Sequence, residues 1–105
     1  MQTNPTPFDH LIGHPVLVRS RGSGVWAATL DAAHVGAAGV IVTLSSARRL
    51  WAWLGAGECS SLALTGPSDG KIGPACSVIV AEVVEVHPMQ PAAVSAVAAV
   101  KPWTT

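Results

Sequence analysis

Pro15-Val16-Leu17-Val18-Arg19-Ser20-Arg21-Gly22-Ser23-Gly24-Val25-Trp26-Ala27-Ala28-Thr29-Leu30 is the stretch on which the fold turns. Its first half is apolar and β-favouring, and Pro15 stands at the first strand position, where a missing N–H is tolerated. Gly22-Ser23-Gly24 supplies a turn, and Val25 to Leu30 reads as the returning strand. Side chains alternate across a strand. Trp26, Ala28 and Leu30 therefore face one way, and Val25, Ala27 and Thr29 the other.

Upstream, residues 1–14 hold prolines among mixed polar residues and read as an extended or loose N-terminal arm. Downstream, Asp31 to Gly39 mixes helix-favouring alanines with Gly36 and Gly39, which predicts a loop or a single turn. Val40 to Leu44 is a β-branched strand, Ser45-Ser46 a bend, and residues 47–54 a further strand ended by Gly55 and Gly57. Glu58 to Leu64 predicts a short helix with Ser60 or Ser61 near its start. Thr65 to Pro74, rich in glycine and proline, predicts a loop. Ser77 to Val86 is the longest strand, stopped by Pro88. Pro91 to Val100 predicts a C-terminal helix, because proline suits a first helical position. Val94, Val97, Ala98 and Lys101 recur there at helical spacing. Pro102 ends it, and Trp103 is expected to pack back on the body.

The sum is a strand-dominated α+β domain: an antiparallel sheet or small open barrel of about five strands, with one or two short helices toward the C-terminus. Residues 15–105 form one compact domain, without internal repeats. Half of the residues are apolar and only 11% are charged, with alanine, valine and glycine carrying the excess. That is apolar for a domain of this size, and it predicts a homo-oligomer. Net charge is zero, with the balance +2 over residues 1–57 and −2 over residues 58–105. Generic nucleic-acid binding needs a stronger basic field, whereas a small anion needs only two or three well-placed arginines. The longest apolar run, Val78 to Val86, is broken by Glu82 and Glu85 and is too short to span a bilayer. No secretory signal is visible, so the expected location is the cytoplasm.

Residues 47–57 bring together two of the six basic residues and two of the four tryptophans. On a regular strand Arg49, Trp51 and Trp53 share one face, and Arg48, Leu50, Ala52 and Leu54 the other. A guanidinium beside indoles can pair with a phosphate while a base stacks on the rings. The same strand, apolar on both faces, can instead be core or a subunit interface. Arg19 and Arg21 share a face beside the Gly-rich turn, whose backbone N–H groups can help to hold an anion. The ligand-binding candidates are therefore Arg48, Arg49, Trp51, Trp53, Arg19 and Arg21.

Other chemistry is not marked. His10, His14, His34 and His87 with Cys59 and Cys76 make no zinc spacing. Nothing in the sequence activates Cys59, and no nucleophile, base and oxyanion set is singled out. No metal, no cofactor and no enzymatic activity are expected. Glu82 or Glu85 is a candidate ion-pair partner for Arg48 or Arg49.

Ala47-Arg48-Arg49-Leu50-Trp51, followed by Trp53, Gly55 and Ala56, resembles an A-R-R-L-W-x-W-x-G-A motif in a family of small proteins of tailed phages and prophages. Gly13 to Arg19, Ser23-Gly24-Val25 with Thr29-Leu30, Ser61-Leu62-Ala63 with Gly66, and Ile79 to Pro88 follow in the same order. The family frequently has an aromatic where this chain has Ala52, and a serine where it has Cys59 or Ser60. This chain's loop at 66–75 is short by comparison. More distantly, the size and strand-rich body are similar to phage sponge proteins of the Thoeris anti-defence type, an analogy of fold and setting. These resemblances imply a phage-encoded binding protein in the cytoplasm of an infected bacterium. It would sequester a small anionic, nucleotide-derived immune signal without enzymatic chemistry. The alternative is a structural or protein-interaction component of a virion or of host takeover, with the Arg-Trp strand as its subunit interface. A small hydrolase ranks last.

Overall fold

The hairpin forms as its alternation requires. Pro15–Ser20 (β1) turns back through residues 21–23 into Gly24–Gly36 (β2), with Pro15 opposite Thr29 and Ser20 opposite Gly24. The Ser20 hydroxyl accepts the Ser23 N–H at 2.8 Å inside the turn. The structure, a computed structural model, describes residues 6–37 and 39–103.

The remaining elements are Gly39–Leu54 (β3), Cys59–Thr65 (α1), Asp69–Ile72 (β4), Cys76–Pro88 (β5) and Pro91–Ala99 (α2). All pairings are antiparallel: β1 with β2 and β5, and β3 with β2, β4 and β5. The pairings β1–β2–β3–β5–β1 close a ring, and β4 continues the sheet along the far end of β3. The protein is a β-rich α+β domain built on a five-stranded antiparallel sheet.

Three local expectations give way to sheet pairing. Residues 31–36 are not a loop but the outer half of β2, with Ala33 opposite Val42 and Val35 opposite Val40. Cross-strand pairing overrides the helical preference of the alanines and the cost of Gly36. The Ser45-Ser46 bend is absorbed inside one long β3: Ser46 takes φ 49°, and the register slips beside it on both neighbouring strands. The 65–74 loop contains β4, whose residues pair with the end of β3.

The sheet buries both faces. Inside the ring, Val16, Val18, Trp26, Ala28, Leu30, Val42, Leu44, Ala47 and Val80 form one core. On the outer face, Leu17, Val25, Ala27, Leu50 and Ile72 pack against Leu62 and Ala63 of α1 and Ala93 and Val97 of α2. Residues 47–50 of β3 are thus covered on both sides by their own chain, whereas Trp51, Ala52 and Leu54 at its end stay exposed.

Residues 6–14 are not a loose arm. The Thr6 N–H and hydroxyl donate to the Asp9 carboxylate at 3.0 and 2.7 Å, opening the 3₁₀ turn Asp9–Leu11. Leu11 plugs the inner core, with Phe8 against it. The Gly13 N–H donates to the Leu30 carbonyl at 2.7 Å. Residues 1–5 of the expected arm lie outside the described residues.

Both helices are short, and only α1 has a side-chain N-cap among the described residues. The Glu58 carboxylate caps α1 by accepting the Ser60 N–H at 2.7 Å, with Ser60 and Ser61 in the first turn. Helix α2 buries Ala93, Val97 and Val100, while Val94 stays 38% exposed. The buried stripe is rotated from the one expected because α2 meets the end of α1 through small residues. Gly66, at φ 75°, lies where a Cβ would come within 2.6 Å of the Ala96 Cβ. No described helix is long and apolar enough to cross a membrane.

Candidate ligand-binding site

Arg48 and Arg49 point to opposite faces of β3, as adjacent strand residues do. Arg48 turns toward the helices and is a clamp. Its Nε donates to the Gly73 carbonyl at 2.8 Å, Nη1 to Val97 at 2.6 Å, and Nη2 to Val100 at 2.9 Å and Ile72 at 3.3 Å. Val97 and Val100 lie at the end of α2, where carbonyls run out of donors four residues on; the Val97 carbonyl also accepts the Val100 N–H at 3.1 Å. A cation there also meets the negative end of the helix dipole. Burial lowers the Arg48 pKa from the ordinary arginine range, but guanidinium stays protonated in proteins. Of the four candidate arginines, Arg48 is the one whose side-chain donors go to backbone carbonyls of the fold.

Arg49 turns the other way, opposite Trp26. Its guanidinium carbon lies 4.0 Å from the centroid of the Trp51 ring and 5.7 Å from that of Trp26. Trp51 is 55% exposed. Beside it stands Trp103, edge to face, with centroids 6.2 Å apart and planes at 63°. The Lys71 ammonium lies 5.5 Å from the Trp103 ring. Backbone pairing assembles this row. The Trp103 N–H donates to the Ile72 carbonyl at 2.8 Å, tying the C-terminal segment to β4, and Lys71 lies opposite Ala52. Trp26, Arg49, Trp51, Trp103 and Lys71 thus form a ladder of alternating aromatic and cationic groups, buried at the Trp26 end and open at the other. The Trp26 indole N–H is buried with no partner among the described residues.

Trp53 does not join this face. The β3–β4 register slips between Leu50 and Ala52. A bulge adds one residue and turns the following side chains over. Trp53 accordingly packs with the helix-side core, and its indole N–H donates to the Ala56 carbonyl at 3.1 Å.

Arg19 is also on the helix side. It pairs with Glu85 at 2.6 Å, and the other Glu85 oxygen lies 2.9 Å from His87 Nε2. The acidic partner foreseen for Arg48 or Arg49 therefore serves Arg19. Hydrogen bonds from Arg19 and His87 hold the Glu85 carboxyl below the usual range. Arg19, Glu85, Trp53, Glu58, Cys59 and Ser60 line a cleft of about 360 Å³. Burial pushes the Cys59 thiol up, which disfavours the thiolate a nucleophile needs. Arg21 lies in the exposed turn after β1, where its N–H donates to the Glu82 carbonyl at 3.0 Å, and its side chain has no partner among the described residues. No group of three or more His, Cys, Asp or Glu able to hold a metal occurs among the described residues.

Of the six candidates, the structure puts Arg49 and Trp51 together in an open aromatic–cationic row, Arg19 and Trp53 in a separate cleft, Arg48 in the framework and Arg21 in the exposed turn after β1. Trp103, Lys71 and Trp26 were missed. Four tryptophans in a chain with one phenylalanine and no tyrosine were the available signal. That two of them flank Arg49 and Trp51 depends on tertiary closure.

The molecule is thus a small β-rich α+β domain that displays a cation–tryptophan row at one end of its sheet. It belongs to the family described as a domain of unknown function, DUF6948, whose model matches residues 13–97. The match takes in Arg49, Trp51 and Lys71 and stops before Trp103. No curated protein and no solved structure matches the chain.

Proposed function

We propose that this protein is a non-enzymatic binding protein that captures a small, planar, anionic ligand of the nucleotide type on the Arg49–Trp51–Trp103–Lys71 row. The observation that carries this reading is Trp51: a tryptophan 55% exposed, held between a guanidinium at 4.0 Å and a second indole. Stacking on such a ring is sequence-tolerant and worth about 1–3 kcal/mol per base. Two cations at the ends of the row suit one or two phosphates. The steep angle between the indoles makes a corner for a single base rather than a continuous stack. The resemblance to phage proteins supports a sequestering role, with a nucleotide-derived immune signal of the infected cell as the ligand.

Calorimetric titration with cyclic dinucleotides and ADP-ribose derivatives tests the reading. Binding is expected to be tighter than about 100 μM, near 5.5 kcal/mol, with ligand recovered chemically unchanged. Trp51→Ala is expected to weaken it by about 1–3 kcal/mol. Arg49→Ala is expected to cost about 1.5–3 kcal/mol as a charge-assisted contact is lost. No binding across this panel overturns the reading. A second reading, a protein-interaction surface, draws on Leu54, which is 67% exposed near the same end of β3. Tryptophan and arginine also dominate interface hot spots.

A further inference from the structure

The ring of strands leaves part of β5 without a neighbour. Val83 pairs with Val40 on one side and with Ser20 on the other, so β3 and β1 lie on opposite edges of β5. Toward Cys76, β3 keeps its edge, with Val80 opposite Val42, Ile79 opposite Thr43 and Val78 opposite Leu44. On the other edge β1 has ended at Ser20, and the last contact is the Arg21 N–H on the Glu82 carbonyl at 3.0 Å. Residues 76–81 therefore present an open edge among the described residues, about 20 Å long at about 3.4 Å per residue.

Exposed edges are normally blunted by charge, proline, bulges or shortness. The other open edges obey this rule. Strand β4 runs only from Asp69 to Ile72 and carries Asp69 and Lys71. The outer half of β2 carries Asp31 and His34. Cys76-Ser77-Val78-Ile79-Val80-Ala81 has no charge and no proline. The first charge of β5 is Glu82, at a left-handed φ of 54° where the register with β3 shifts and the strand runs on to Pro88. Ile79 is 70% exposed, more than any other large apolar side chain described.

We infer that this edge pairs with the same edge of a second copy, in antiparallel register about a two-fold axis at Ile79. That register sets Ile79 against its own counterpart. It sets Val78 against Val80 of the partner subunit, and Ser77 against Ala81 of the partner subunit. No charge meets a charge at any of these positions. Val80 is buried in the inner core and Val78 packs against it, so their pairing continues that core from one subunit to the next. Ile79 gains a cross-strand β-branched neighbour on the outer face. The product is a sheet running β2–β3–β5–β5–β3–β2 across the dimer. A two-fold interface is self-complementary and closes on itself, so assembly by this edge stops at two subunits. The Arg49–Trp51 row lies on another strand and is not consumed.

Sedimentation velocity of the full chain between about 1 and 100 μM, with amide hydrogen exchange over residues 76–81, decides the matter. Expected are a dimer and amides in 76–81 whose protection rises with protein concentration. Ile79→Lys, at an exposed position, places two ammonium groups face to face. It is expected to weaken dimerisation at least about tenfold, with an unchanged far-ultraviolet circular dichroism spectrum. Ile79→Thr, which keeps the β-branch, is expected to weaken it less and serves if the lysine variant does not fold. A monomer throughout the range overturns the inference. So does a dimer that survives both substitutions while the 76–81 amides exchange freely.

Discussion

Arg48 and Arg49 are chemically identical neighbours with opposite employment. Arg48 holds the end of α2 and the strand preceding Gly73 through backbone carbonyls; Arg49 lies across exposed indole. Hydrogen bonds to a charged group contribute about 1.5–3 kcal/mol, whereas an exposed cation–π contact contributes about 0.5–1 kcal/mol. Arg48→Ala is therefore expected to lower stability by about 1.5–3 kcal/mol, and Arg49→Ala by no more than about 1 kcal/mol, in urea melts of the two variants. Arg48→Lys is expected to recover little, because a single ammonium cannot reproduce the fork. Equal losses at both positions would mean that Arg48 is not a clamp. Strand alternation separates the two arginines on the sequence alone. Which of them is structural depends on carbonyls at 97 and 100, roughly fifty residues along the chain, and no local pattern carries that.

At the level of elements, the hairpin, the late strand and the C-terminal helix are legible because period and punctuation agree: Gly22-Ser23-Gly24, Pro88 and Pro91 stand where the elements change. The misread segments are those in which tertiary pairing outweighs local preference. Alanine-rich 31–36 is strand because β3 lies beside it. Residues 69–72 are strand because the end of β3 offers an edge. The slip at Trp51, which sends Trp53 to the helix side, is likewise a property of the β3–β4 pair rather than of either sequence. The α1–α2 junction shows the converse, a single residue on which two elements depend. At Gly66 a Cβ would meet the Ala96 Cβ at 2.6 Å and the Ala93 carbonyl oxygen at 3.0 Å, at a positive φ. Overpacking costs about 1–3 kcal/mol, and the positive-φ extended backbone, a glycine conformation, adds about 1–3 kcal/mol for a residue with a Cβ. Gly66→Ala is expected to destabilise the domain by at least about 2 kcal/mol in thermal or denaturant melts. A change below about 0.5 kcal/mol would show that the helices separate easily.

For the whole molecule, the closed ring raises the question of what fills its end. The composition foretells a β-rich domain with much apolar surface, and the structure divides that surface between a core inside the ring and a core beneath the helices. The inner core is closed by Leu11, from a segment that reads as a loose arm because its prolines and polar residues hide one buried leucine. The Asp9 carboxylate, bonded to Thr6, sets the 3₁₀ turn that aims Leu11 inward. Large-to-small core changes of leucine to alanine cost about 2–5 kcal/mol. Leu11 keeps 9% of its surface exposed and borders solvent at the ring's end, so the lower half of that range applies. Leu11→Ala is expected to destabilise by about 2–3 kcal/mol, and Asp9→Ala, which frees the turn, by about 1 kcal/mol. Both are expected to leave binding at the proposed Arg49–Trp51 row unchanged, since neither residue lies on β3 or β4. Denaturant melts and calorimetric titration on the same samples separate the two effects. If Leu11→Ala cost less than about 0.5 kcal/mol, residues 6–14 would be a dispensable arm after all, and the ring would have to be stable with its end open.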